Sequence, residues 1–246
     1  MSAATAEGAT SLADEPRSDD SYTAALAIKA LFFDFDGVLW DSETAGLESW
    51  RETYAEYGQQ LSLDRYATRL GTLGGADLIG ELQRLAGTPL DRETVELRRW
   101  ERKMELVRRL KPRPGILDYI AEGRERGLCV ALVSTDDTEW IMTGLNILGL
   151  RDAFDFIECA EGVRSLAKPS PALYLSALDR LQLSVDQAIA IEDSPNGIHA
   201  AKAAGLFCLG YANDVTRQLD LSEADVVVDS LDDLPLSQAL RIATPM

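Results

Sequence analysis

The chain is short of positive charge: 24 lysines and arginines stand against 41 aspartates and glutamates, a formal charge of −17 over 246 residues. This deficit argues against a nucleic-acid partner, whose binding surface needs clustered cations. It also means that any anionic partner must be met by local cations, from a metal or from a few lysines and arginines. Cysteine is scarce as well. Cys129, Cys159 and Cys208 are odd in number and form no C-x-x-C pair. Cys129 and Cys208 sit in apolar runs and are expected as reduced core residues. No run approaches the roughly 18 consecutive apolar residues of a membrane span, so no membrane partner is expected. A secretory signal or basic transit peptide is equally lacking. Residues 1–20 carry five acids (Glu7, Asp14, Glu15, Asp19 and Asp20) and one base, Arg17. Residues 1–25 therefore read as a solvated, disordered acidic tail, and a cytoplasmic location is the default expectation.

What is present is ordinary globular composition, 46% hydrophobic and 26% charged, in a chain long enough for an α/β domain and a small second one. The most informative segment is Ile28–Gly37. Ala30, Leu31, Phe32 and Phe33 read as a strand buried on both faces, followed at once by Asp34 and Asp36. Such a strand cannot hide two carboxylates, so they emerge at its carboxyl end, where open α/β sheets keep their ligand sites. There they repel unless a cation or a shared proton offsets them, which suggests a Mg2+ site with one carboxylate free to attack an electrophile. An Asx turn or helix cap closing the strand would use the same residues.

Residues 43–111 show helical rather than strand patterning, clearest from about Asp91 to Leu110, where Leu97, Trp100, Met104 and Val107 recur at helical spacing. The run Lys111-Pro112-Arg113-Pro114-Gly115 breaks that pattern and reads as a hinge. From Ile116 helix and strand alternate. Strands are expected at Leu128–Val133, near Phe156 and Ile157, at Ala188–Ile191, at Leu206–Leu209 and near Val226–Val228. Repeated strand–helix units imply a Rossmann-like α/β core with a parallel sheet. The core would comprise residues 26–42 and 112–246, with residues 43–111 inserted after the first strand as an all-helical cap domain.

The later strands also end in polar groups. Ser134 and Thr135 offer hydroxyls and backbone N–H groups suited to phosphate oxygens. Lys168 offers a point charge before the helix start Ser170-Pro171. Glu192 and Asp193 add two carboxylates, an oxygen-rich set suited to Mg2+. Each feature alone could be a cap or a solvated charge, but four strand ends carrying compatible groups favour a site.

In order and spacing, Asp34-Phe35-Asp36-Gly37-Val38-Leu39, Ser134, Lys168-Pro169 and Glu192-Asp193-Ser194 with Gly197 resemble the four motifs of the haloacid dehalogenase superfamily. The likeness covers about residues 28–229. The helical insertion resembles the cap of the subfamily that contains β-phosphoglucomutase and small sugar-phosphate phosphatases.

That resemblance implies a Mg2+-dependent phosphatase acting on a small phosphorylated metabolite, with a sugar phosphate the leading expectation. Asp34 would be the nucleophile that forms an aspartyl-phosphate, and Asp36 the acid and then the base. The metal would be held by Asp34, the Asp36 carbonyl, Asp193 and Glu192, and the phosphoryl group by Ser134, Thr135 and Lys168. A second aspartate at position 36 favours phosphoryl transfer over halide displacement. Where the mutase has a histidine and cap-loop cations, this chain has Gly46, Leu70 and Gly74, so hydrolysis is favoured over a sugar phosphomutase. A catalytically silent binding protein on the same fold is the other alternative, and the intact motifs speak against it. Oligomeric state is not readable from the sequence.

Other residues near these motifs carry secondary expectations. Trp40 and Glu43 could face the leaving group, with interdomain packing an equal reading for Trp40. Arg69 could meet an anion or lie in water. Arg98, Arg99, Arg102, Lys103, Arg108 and Arg109 read as a solvated helix face. Asp136 with Glu139 fits a helix cap, and His199 is expected to lie outside the chemistry.

Overall fold

A computed structural model describes residues 28–73 and 75–244; the expected acidic tail (1–25) and Gly74 lie outside the described residues. Six strands form one parallel sheet: β1 (Ala30–Phe33), β2 (Cys129–Ser134), β3 (Phe156–Cys159), β4 (Ala188–Glu192), β5 (Phe207–Tyr211) and β6 (Val226–Val228). Their order is β3-β2-β1-β4-β5-β6. β1 is central, with Phe33 registered against Leu132 on one side and Ile191 on the other. The order reverses at β1, so the carboxyl ends of β1, β2 and β4 converge where doubly wound sheets place their sites.

Alternation along the strands feeds two cores. Leu31, Phe33, Leu132 and Ile191 face α5 (Ile116–Glu125), α6 (Thr138–Leu148) and α9 (Leu236–Ala243). Ala30, Phe32, Val133 and Ala190 face α7 (Ala172–Leu181) and α8 (Pro195–Ala203). The C-terminal helix α9 has no counterpart in the sequence reading.

Between β1 and β2 lie α1 (Ser42–Glu56), α2 (Leu63–Ala67), α3 (Leu78–Ala86) and α4 (Arg92–Val107), a helical cap inserted after the first strand. Asp41, Ser62, Asp77 and Asp91 cap these helices with side-chain acceptors. The insertion has its own apolar core, built on Leu47, Trp50, Tyr54, Tyr66, Leu78 and Leu82. The face of α4 differs from expectation. Val95, Arg99 and Val107 are buried, whereas Leu97 is 56% and Trp100 39% exposed. An arginine occupies the inner stripe because its guanidinium stacks on Trp50, 5.1 Å from the ring centre, an arrangement that hydrophobic periodicity cannot register. The hinge expected at 111–115 returns beside the first crossing: Arg113 N–H donates to Leu39 O at 2.9 Å. The Arg113 guanidinium donates to the carbonyls of Gly37, Tyr211 and Ala212.

Candidate active site

Asp34 leaves β1 almost fully buried, and its Oδ1 accepts from Lys168 Nζ at 2.6 Å. The same ammonium lies 2.6 Å from Glu192 Oε1 and donates to Val133 O at 2.7 Å. Glu192 and Asp193 leave β4 beside β1, and one carboxylate oxygen from each of Asp34, Glu192 and Asp193 lies within 4.8 Å of the others. Burial raises the Asp34 carboxyl against the opposing pull of Lys168. Burial also pushes Glu192 up to about 7, again opposed by Lys168. Asp193 is held well above the ordinary carboxylate range by burial and then by Asp34. Burial works against the Lys168 charge, but Asp34 and Glu192 hold it above the usual lysine value.

Local backbone chemistry makes this packing possible. Gly37 has a φ of +77°, and a Cβ there would stand 2.0 Å from Asp193 Oδ2. A Cβ on Gly197 would stand 1.9 Å from Glu192 Oε2. The Asp193 carboxylate is aimed by Asn213, whose Nδ2 donates to Oδ2 at 2.7 Å, and Tyr174 donates its hydroxyl to Glu192.

The Asp36 carboxylate stands apart from this cluster. Its Oδ1 accepts from Ser42 Oγ at 2.6 Å and Trp40 Nε1 at 3.1 Å, and its Oδ2 from Trp140 Nε1 at 2.8 Å. The Asp36 carboxylate is thus not one of the three that lie together. Ser134 turns its hydroxyl to Asp136 Oδ2 at 2.9 Å. Thr135 Oγ1 donates to Gly71 O at 3.1 Å and accepts from Lys168 N–H at 3.2 Å, tying the cap loop to the lysine segment. Asn196 Nδ2 seats the same loop by donating to Leu70 O at 2.8 Å.

Asp34, Asp36, Thr135 and Asp136 line a small cavity of 70 Å³, together with Glu43, Arg69 and Thr72. A larger cavity of 600 Å³ shares Asp36, Glu43, Arg69 and Asp136 and extends to Trp50, Arg99, Trp100, Lys103 and Arg164. Several sequence expectations change here. Arg99 and Lys103 face this cavity rather than bulk solvent. Asp137, not Asp136, caps α6, accepting from Trp140 N–H at 2.8 Å. Asp136 instead sits beside the site, raised well above its ordinary range by burial and by Asp36. Trp40 is fully buried and lines neither cavity, which favours the packing reading over one that faces the leaving group, and its Nε1 donates to Asp36 Oδ1. Arg69 donates to Ala76 O at 2.9 Å while lining both cavities. Asn213, Tyr174 and Trp140 were not foreseen, since nothing in their local sequence marks them. His199 lies exposed, 3.0 Å from Glu223, and all three cysteines are free.

A parallel sheet whose central strand ends in a buried acid–lysine cluster under a helical insertion is a Rossmann-like α/β core carrying a cap. The chain belongs to the haloacid dehalogenase-like hydrolase family, whose model matches residues 28–205. YhcW of Bacillus subtilis is 36% identical over 213 residues, 87% of this chain and 96% of that protein. The phosphorylated carbohydrates phosphatase of Thermotoga maritima is 26% identical over 73% of this chain and 82% of its own length. Among solved structures, a mutant of CbbY from Rhodobacter sphaeroides in complex with xylulose-(1,5)bisphosphate superposes with a TM-score of 0.67 at 31% identity. It covers 84% of this chain and 96% of that one. Among the described residues no helix is long and apolar enough to cross a membrane.

Proposed function

We propose that this enzyme is a Mg2+-dependent phosphatase that hydrolyses a small phosphomonoester, a sugar phosphate, through an aspartyl-phosphate on Asp34. The observation that carries the reading is the pairing of a lysine-bound Asp34 with a separately held Asp36 on one 70 Å³ cavity. Asp34 would attack phosphorus as the P–O bond to the sugar breaks, and Asp36 would give its proton to the departing alkoxide. Asp36 would then take a proton from the water that attacks the acyl phosphate, which releases inorganic phosphate and frees Asp34. Lys168, the Ser134 hydroxyl and the Thr135 N–H would orient the phosphoryl oxygens. In this state the Ser134 hydroxyl would have to turn from Asp136 toward the substrate.

The donor set fits a hard divalent cation. Three buried carboxylates lie together and Lys168 pairs with two of them, Asp34 and Glu192, so the set presents acidic oxygens in excess of the ammonium. Asp34, Asp193, the Asp36 carbonyl and Glu192 would hold Mg2+, which supplies charge neutralisation for the phosphoryl oxygens.

The larger cavity supports a sugar phosphate. Trp50 and Trp100 offer apolar faces, Glu43 and Asp77 can accept from hydroxyls, and Arg69, Arg99 and Lys103 offer positive charge to an anionic group. The named relatives that act on or bind phosphorylated sugars support the same class. Hydrolysis is favoured over a mutase at Gly46, where the mutase histidine is absent and a Cβ would stand 2.3 Å from the Tyr66 hydroxyl. Of the other two mutase positions, Leu70 is buried and Gly74 lies outside the described residues. The test is phosphate release from a panel of sugar phosphates, with Mg2+ and with EDTA, for wild type and Asp34→Asn. Magnesium-dependent release that vanishes in Asp34→Asn while the variant stays folded is expected. Release by Asp34→Asn near the wild-type rate would remove the nucleophile assignment.

A further inference from the structure

The proposed reaction leaves one feature of the site unused, an aromatic stack that runs from the sheet out to the insertion. Trp40, Trp140 and Trp100 follow one another as tilted rings, with centroids 5.4 Å and then 5.2 Å apart. Trp40 is fully buried, Trp140 nearly so, and Trp100 lies half open on α4. Two of these indoles end on Asp36. Trp40, in the turn that follows, and Ser42, the first residue of α1, reach it from four and six residues along the chain. Trp140 reaches it from α6, 104 residues away, at 2.8 Å. Among the described residues it is the one hydrogen-bond donor to this carboxylate from outside residues 36–42.

The surroundings are built around that contact. Gly144 lies one turn beyond Trp140 on α6, and a Cβ there would stand 2.4 Å from Phe35 Cζ and 2.6 Å from Trp40 Cζ2. The helix can lie against these rings only with glycine at that position. On the outer side Lys103 Nζ lies 4.5 Å from the Trp140 ring centre, beside Trp100. The insertion thus rests on the same indole that holds Asp36.

We propose that Trp140 is a positioning residue for Asp36: its N–H aims the carboxylate into the cavity, while its ring seats Trp100 and Lys103 of the insertion. This rests on the reading of Asp36 as the acid–base group. A carboxylate that gives and then accepts a proton has to be within reach of the reacting oxygens in both half-reactions, and a donor on a sequence-distant helix helps to hold it there.

Trp140→Phe keeps an aromatic ring in the stack and removes the N–H together with part of the indole. In the magnesium-supplemented full-length protein, kcat for the best phosphoester should fall about tenfold or more, as for loss of one hydrogen bond to a charged group. KM should stay within about twofold, since the ring still receives the insertion. A second readout needs no turnover. In 1H–15N spectra with the indole signals assigned, Asp36→Asn should shift the N–H resonances of Trp40 and Trp140 and leave those of Trp50 and Trp100 in place. An unchanged kcat in Trp140→Phe, or a Trp140 indole signal indifferent to Asp36→Asn, would overturn the proposal. Absence of phosphoester turnover in the wild type would instead count against the functional reading, and the spectra would still decide whether Trp140 holds Asp36.

Discussion

In Lys168→Met the side chain keeps its length and apolar stem but loses the ammonium set 2.6 Å from both Asp34 Oδ1 and Glu192 Oε1. Lys168 and Glu192 are completely covered and Asp34 nearly so, so no water can replace the lost charge without rearrangement. Breaking a buried pair by removing one partner costs about 3–5 kcal/mol. Here one cation serves two acids, and Val133 O also loses its donor, which places the expected loss toward the upper part of that range. That is a large fraction of the about 5–15 kcal/mol that holds a typical protein folded. The loss has an upper bound, because a stranded carboxylate can take up a proton. Each pH unit between its folded-state pKa and the solution is then worth about 1.4 kcal/mol. Burial already pushes Glu192 up to about 7 with the lysine present, so removing the lysine raises it further. The penalty should therefore be largest in alkaline solution and should shrink on acidification, as neutral acids replace the missing ion pair. Urea unfolding in EDTA at about pH 7.5 and about pH 5.5 measures this directly, provided the slope m is unchanged. A difference from wild type below about 1 kcal/mol at the higher pH would refute the reasoning. So would a difference that fails to shrink at the lower one.

Two further perturbations probe other parts of the site. Burial and then Asp36 push Glu43 up to about 7 from an ordinary value of 4.5, so the folded protein binds this proton more tightly than the unfolded chain does. Its contribution to unfolding free energy must fall as pH rises through that window. Glu43→Gln should abolish this fall, so the variant should gain on metal-free wild type between about pH 4.5 and about pH 7; parallel stability–pH curves would contradict it. Gly144→Ala forces a methyl against Phe35 and Trp40 and should cost about 1–3 kcal/mol in urea unfolding, whereas an unchanged midpoint would show that the rings yield freely.

Patterning along the chain was enough to define a parallel sheet and the polar groups at its carboxyl ends, though not the order of its strands. Runs such as Ala30–Phe33 and Ala188–Ile191, apolar on successive residues, can be satisfied only between two layers of helix. The carboxylates and hydroxyls that follow them have nowhere to go but the sheet's carboxyl edge. Local order was enough to bring Asp34, Lys168, Glu192 and Asp193 into view as one group, because each lies beside a strongly patterned strand or helix start. What only the tertiary structure decided is how far each charge is compensated and by what. That Lys168 serves two acids, that Asn213 aims Asp193, and that Trp140 reaches Asp36 across 104 residues depend on side chains meeting from distant elements. The same holds for Arg99 and Lys103. On a helix viewed alone they belong to a polar stripe, and the insertion's own core and the neighbouring tryptophans turn that stripe toward the cavity. Periodicity reports which face of an element is apolar. It does not report which polar groups a second element will cover, and the electrostatics of this site come from that covering.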